Sequence, residues 1–229
     1  NSIFLFTKLG YSYIMTLYEL NELIENGENQ RVEFKRKFTE PEKIAKEMIA
    51  FANTHGGKLL FGIDDDKTVV GVESEKGEIE YIDLAARFFC EPELIFTIDI
   101  MHIYRKDVIV VDIPESKTKP HRLIENGKKD EDETKVYIRV KDKSVQASKE
   151  TVKVLKKLRA DSPAQIINLG DKEKALIEYL TKHDRVTLQE FREHLNLSNR
   201  RASRILVNLV RADLIRLHNH EKEDFYTLN

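Results

Sequence analysis

The chain has almost no cysteine. Cys90 stands alone in 229 residues, which rules out an intrachain disulfide and a Cys-rich zinc site. A basic excess is missing too. The formal net charge is −2, so any nucleic-acid surface must be a local patch. No run of about 18 apolar residues occurs, so no membrane-spanning helix is expected. The apolar start NSIFLFTKLGYSYI carries a single Lys and no small-residue cleavage site, unlike a secretory signal. Residues 1–14 read as an extension, native or artificial, because Met15 opens a more ordinary start. The histidines show no metal-ligand spacing. His218 and His220 read as exposed turn residues, and His121 as a loop residue. The phosphate-cradling pattern G-x4-G-K-[ST] is absent, so no ATP site is expected, and NTHGGKL reads as a helix cap followed by a strand. These absences lead to the expectation of a cytoplasmic protein without membrane contact.

What remains is a chain with 34% charged residues, long enough for one large domain or two modest ones. TLYELNELIENG spaces Leu17, Leu20, Leu23 and Ile24 as a helix stopped by Gly27. RVEFKRKF alternates as a strand. TEPE offers Thr39 with Glu42 three residues on, a capping box for a helix that buries Ile44, Met48, Ile49 and Ala52. Gly56 reads as its left-handed cap. KLLFGI reads as a central strand and VVGV as its hairpin partner across a turn at Asp65–Thr68. A helix near Ile79–Phe89 follows. LIFTIDIMHIY, DVIVVDIP and VYIRV read as strands, ENGKKDEDETK as a solvated loop, and SKETVKVLKKLRA as a closing helix. The expected class is α+β with a largely antiparallel sheet, over residues 15–160.

Residues 161–170, with Pro163 and Gly170 and no periodicity, read as a linker. Over 171–229 the pattern changes to three helices, KEKALIEYL, TLQEFREHL and SNRRASRILVNLVRADL, followed by two strands around a polar turn. That is the outline of a small winged helix-turn-helix domain, whose third helix enters the major groove. Its outward positions are expected to be Asn199, Arg200, Arg201, Ser203, Arg204, Asn208 and Arg211. Arginines can bond guanine bidentately or pin phosphates. No acid occurs from Asn199 to Ala212, in a chain that is acidic overall. The plain alternative is a solvated helix in a dimerising or partner-binding domain, and the wing, HNHEKED, is not basic.

Glu28, Glu33 and Asp65 form a second candidate. Three converging carboxylates can hold Mg²⁺ or Mn²⁺ and activate water at a phosphodiester. Glu28 and Glu33 would face opposite ways on one regular strand, but NGENQ is turn-like and can fold Glu28 back. Asp65 follows the next strand, and Lys35 shares a face with Glu33, where it could bind a phosphate. The plain alternative is solvated turn acids, with Glu33 paired to a lysine.

The segments ENQRVEFK, AFANTHGGKLLFGIDDD, VVGV, KPHRL and VYIRVKDKSVQASKE resemble the Schlafen AlbA-type domain over about Met15 to Ala160. The resemblance implies that family's α+β fold. Many bacterial and archaeal members join it to a C-terminal winged helix and are described as DNA-binding transcriptional regulators. In animal Schlafens the domain is duplicated and acts as an endoribonuclease on transfer and ribosomal RNA. The acids that carry metal there fall on Glu28, Glu33 and Asp65 here. One lobe per chain implies a homodimer. Lys141 departs from the pattern, standing where many members have Gly, and the zinc-binding Cys and His of animal Schlafens have no counterpart. Two functions follow: a DNA-binding transcriptional regulator, or a metal-dependent endoribonuclease with DNA or RNA as partner.

Overall fold

The computed structural model describes residues 15–124, 135–158, 169–220 and 222–229. It divides into two units, Asn1–Gln146 and Ala147–Asn229.

In the first unit, helix α1 (Leu17–Asn26) starts at a Thr16–Glu19 capping box and stops at Gly27, whose φ of 74° is left-handed. Strand β1 (Val32–Lys35) runs into helix α2 (Pro41–Asn53), then strand β2 (Gly57–Phe61) and helix α3 (Glu75–Phe88). There follow β3 (Cys90–Glu91), β4 (Thr97–Ile103), β5 (Lys106–Ile113), β6 (Arg122–Leu123), β7 (Tyr137–Val140) and β8 (Lys143–Gln146).

The main sheet has the order β1-β2-β5-β4. β1 is parallel to β2, and the other pairings are antiparallel. Alternation along the strands sorts two cores. Leu59, Phe61, Ile109, Val111 and Ile113 pack with α2 and α3, while Val32, Phe34, Leu60, Val108 and Val110 pack with α1. Glu33 and Lys35 therefore leave β1 on the opposite face from Val32 and Phe34. β7 and β8 form a separate hairpin. At its turn Lys141 has φ 56°, a left-handed position that glycine fills without strain.

The second unit begins with helix α4 (Lys149–Lys157), followed by α5 (Asp171–Lys182), β9 (Val186–Thr187), α6 (Leu188–His194), α7 (Asn199–Arg211), β10 (Ile215–His218) and β11 (Phe225–Leu228). The antiparallel sheet runs β10-β11-β9. Leu176, Leu180, Phe191, Ala202, Ile205, Leu206, Leu209 and Tyr226 fill its core.

The architecture is α+β, and several local expectations need correction. Thr39 caps nothing in a box with Glu42. Pro41 takes the first helical position, so Glu40 becomes the cap residue, without a side-chain cap bond. The strand at RVEFKRKF stops at Lys35, and Phe38 instead stacks 5.2 Å from Tyr81. VVGV forms no strand of its own, but it turns back on the end of β2 through the antiparallel bridge Ile63–Val69 and the Val70 and Gly71 N–H bonds to the Gly62 carbonyl, both at 2.9 Å. SKETVKVLKKLRA does not close the first domain, because α4 groups with the second unit. The loop expected at 125–135 lies outside the described residues, apart from Lys135. The linker expected at 161–170 lies outside them too, apart from 169 and 170.

Candidate functional site

Two charged sites were expected, and the structure treats them oppositely. In the first unit, β1 and the turn before it bring Glu28 back toward Glu33. The Glu28 carboxylate accepts the Phe34 N–H at 2.8 Å. Partial burial of this carboxyl end raises its pKa. The Phe34 bond and Lys35 pull it down, and the Glu33 and Asp65 charges push it up. The three acids are thus electrostatic neighbours.

Both oxygens of Glu33, however, are committed. Oε1 pairs with Lys35, and Oε2 accepts from Arg139 Nη1 at 3.0 Å. Asp65 is exposed on the turn after β2, and its carboxylate has no hydrogen-bond or ion-pair partner among the described residues. The adjacent Asp64 pairs with Arg36. No group of three His, Cys, Asp or Glu side chains among the described residues is set to hold a metal ion. A divalent ion needs carboxylate oxygens free to ligate. With Glu33 held by two cations, this donor set does not fit one as it stands.

Arg139, on β7, is the residue sequence reasoning missed. It is 2% exposed. Its guanidinium reaches Glu33, Glu47 Oε2 at 3.1 Å, Ser144 Oγ at 3.2 Å and the Asn29 carbonyl at 2.8 Å. It also lies 4.7 Å from the Phe51 ring centre. Arg139 Nε is buried without a hydrogen-bond partner. Two acids and two cations, Glu33, Glu47, Lys35 and Arg139, make a closed neutral cluster. A lone arginine in the apolar strand VYIRV was the available signal, since a buried charge needs partners.

The FANTHGG segment does structural work. Asn53 Nδ2 donates to the carbonyls of His121 and Tyr137, each at 2.9 Å, and Asn53 Oδ1 accepts the His121 N–H at 2.7 Å. The Thr54 hydroxyl accepts the Arg139 N–H at 2.9 Å. Gly57 is packed so closely that a Cβ there would meet Phe51 at 2.2 Å. The segment runs from the end of α2 directly into β2, a helix end followed by a strand. His121 is a loop residue as expected, but a buried one. Its Nδ1 faces the Pro92 carbonyl at 2.7 Å and its Nε2 faces Ser116 Oγ at 2.6 Å. Burial lowers its pKa, so the ring stays neutral near pH 7.

In the second unit the described structure presents α7 as a basic helix. Ser198 caps it by accepting the Arg201 N–H. Asn199, Arg200, Arg201 and Arg204 are exposed. Ser203 is not outward as expected. It is 1% exposed, and its hydroxyl accepts from Lys153 Nζ at 2.9 Å. Asn208 is half-buried and accepts from Lys157 Nζ at 2.6 Å, and Arg211 is half-buried. The cause is α4, which packs on α7. His218 also departs from expectation. It sits in β10, stacked 4.9 Å from Phe225 with Nε2 3.0 Å from Thr227 Oγ1, and burial lowers its pKa. His220 is exposed.

An α+β sheet domain whose FANTHGG segment bonds into the fold, followed by a helical unit that presents the basic helix α7, defines the class. The sequence profile of the family Schlafen, AlbA_2 matches residues 28–148. This is more than half of the chain, which therefore belongs to that family. Among solved structures, the DIP2311 protein from Corynebacterium diphtheriae is similar at 19% identity and TM-score 0.43. The match covers 67% of this chain and 33% of that one, so the chain spans about a third of its length. The N-terminal domain of an ATP-dependent DNA helicase RecG-related protein from Nitrosomonas europaea is similar at 26% identity and TM-score 0.39. There the match covers 49% of this chain and 80% of that one. Neither superposition is close enough to carry a functional argument. No helix among the described residues is long and apolar enough to cross a membrane.

Proposed function

We propose that the protein binds nucleic acid and acts as a DNA-binding transcriptional regulator in the cytoplasm, with residues 171–229 as a winged helix-turn-helix reader. The observation that carries this reading is the charge of α7. Its exposed end presents Asn199, Arg200, Arg201 and Arg204, and no acid lies between Asn199 and Ala212, although the chain is net −2. Such a local cationic face is what a polyanion selects. The family's description as regulators joined to a C-terminal winged helix agrees with this. A homodimer would present two such helices to a pseudo-palindromic site, and light scattering at tens of micromolar tests it: a monomer would remove that part. The test of binding is a titration of labelled duplex DNA. Arg200→Ala or Arg201→Ala should each weaken binding by about 1–3 kcal/mol if the residue reads a base. Wild-type protein that binds no duplex at low salt would end the reading.

A metal-dependent endoribonuclease is the second reading, favoured by the mutual influence of Glu28, Glu33 and Asp65. It requires Lys35 and Arg139 to release Glu33. Transfer RNA incubated with Mn²⁺ and either wild type or Glu33→Gln tests it. Cleavage by wild type alone supports it, and equal cleavage or none returns the acids to a structural role.

A further inference from the structure

Helix α4 lies alongside α7. Lys153 bonds Ser203 and Lys157 bonds Asn208, so the bonds advance in the same direction along both helices. At its start α4 is tied to the loop between β10 and β11. Asp224 Oδ2 accepts from Ser148 Oγ at 2.5 Å and Thr151 Oγ1 at 2.8 Å, and Asn219 Nδ2 donates to Thr151 Oγ1 at 2.7 Å. Helix α4 thus fills the slot between the third helix and the hairpin, the two elements a winged helix lays on DNA. Val207, on the same stripe of α7 as Ser203, is 2% exposed.

This placement restricts how α7 can be used. A major groove about 12 Å wide admits one helix. Two helices packed about 8–10 Å apart, each about 10–12 Å across, are too wide to enter together. Helix α7 cannot lie along the groove while α4 covers its flank. Its N-terminal end remains accessible.

The cover is itself cationic. Lys149, Lys153 and Lys156 follow one another at i, i+4 and i+7 on α4, and all three are exposed. Arg200, Arg204 and Arg211 line the neighbouring stripe of α7. Charges four residues apart on either stripe repeat every 6 Å or so, at about 1.5 Å of rise per residue. Two of the described acids beside this seam are engaged: Glu150 pairs with Lys153 at 3.4 Å, and Asp224 accepts from the hydroxyls of Ser148 and Thr151. Lys157 is lowered in pKa by burial and then by the charges of Arg211 and Arg204. Cations are therefore crowded along the seam, and a polyanion laid over it would relieve their repulsion.

We infer that α4 and the N-terminal end of α7 form one composite surface for duplex DNA. Lys149, Lys153 and Lys156 hold a phosphate strand, and only Asn199, Arg200, Arg201 and Arg204 reach base edges. This rests on the nucleic-acid-binding reading above and changes which residues carry it: Ser203 and Asn208 position α4 instead of reading sequence.

The experiment titrates the full chain with a labelled 30-base-pair duplex across a salt series, with thermal melts to confirm folding. Three proteins are compared: wild type, the triple variant Lys149→Gln, Lys153→Gln, Lys156→Gln, and the double variant Arg200→Ala, Arg201→Ala. The triple variant should bind at least tenfold more weakly at 0.1 M salt. Its slope of log K against log salt should be shallower by about two to three, near 0.9 for each phosphate no longer neutralised. The single variant Lys156→Gln, remote from the Ser203 and Asn208 bonds, should lower the slope by about one unit and covers the case in which the triple variant melts early. If the lysine variants bind as tightly as wild type, or more tightly because α4 is a lid, the inference fails. If only the arginine variant is weakened, the reading stands and this inference falls. If wild type binds structured RNA but no duplex, or binds nothing, both fall.

Discussion

Glu33 on β1 and the arginines of α7 are both charges on amphipathic elements, yet their surroundings differ. Glu33 meets Arg139 and Lys35, and the charges cancel inside the first unit. Arg200, Arg201 and Arg204 are exposed on a helix without acids. A charge already satisfied by its own fold holds that fold together, whereas charges of one sign crowded at a surface are open to a partner. By this criterion the proposed binding face belongs to the second unit, and the charges of the first belong to its scaffold.

The largest expected effect breaks the closed cluster. Arg139→Met would leave Glu47 without its cation and Glu33 with Lys35 alone, beside an emptied polar site. Removing one partner of a buried pair costs roughly 3–5 kcal/mol. Chemical denaturation should show that loss in the first unit's transition, and a loss under about 1 kcal/mol, the scale of an exposed pair, would mean the cluster is not closed. Next comes Asn53→Ala, which removes the bonds to His121 and Tyr137. Leaving those buried backbone groups unmet should cost roughly 1–3 kcal/mol, and nucleic-acid affinity measured below the unfolding transition should not change.

A smaller effect sharpens the comparison at its ambiguous residue. The Glu28 pKa is raised in the folded state, so folding favours its neutral form. The associated stability is present below the ordinary carboxylate pKa and is lost as pH rises through the folded value. Glu28→Gln keeps an acceptor for the Phe34 N–H and removes the charge. It should raise the melting temperature at pH 7, and the gain should shrink as pH falls through the carboxylate range. A melting temperature that falls at pH 7 would show that the charge itself is needed by the fold.

Much of this was legible in the sequence, and what was not has definite causes. The helical spacing of Ala202, Ile205, Leu206 and Leu209 marked out α7 and its buried side, because one period governs both. The Thr16–Glu19 box sits where the helix pattern begins. The Thr39–Glu42 pair matched the same rule and failed, because Pro41 fixes the helix start one residue later than Thr39 requires. Arg139 could be flagged as odd but not assigned, since its acids stand 106 and 92 residues away. The docking of α4 was hidden for a related reason. An amphipathic pattern shows that Val154 and Leu155 need a cover, and says nothing about which element provides it. Ser203 and Asn208 were read as outward because the pattern of α7 alone leaves them there.

The most direct measurement of the account compares charge removal in the two units on one assay. Duplex DNA binding is followed by anisotropy across a salt series for wild type, for Lys35→Gln in the first unit, and for Arg200→Ala, Arg201→Ala, Arg204→Ala in the second. The account predicts that Lys35→Gln binds within about twofold of wild type. The triple arginine variant should lose roughly thirtyfold or more if two or more of its arginines read bases, at about 1–3 kcal/mol each. It should also flatten the salt slope by about 0.9 for each phosphate left without its arginine. Strong weakening by Lys35→Gln, with the arginine variant binding like wild type, would place the nucleic-acid surface in the first unit and contradict the account.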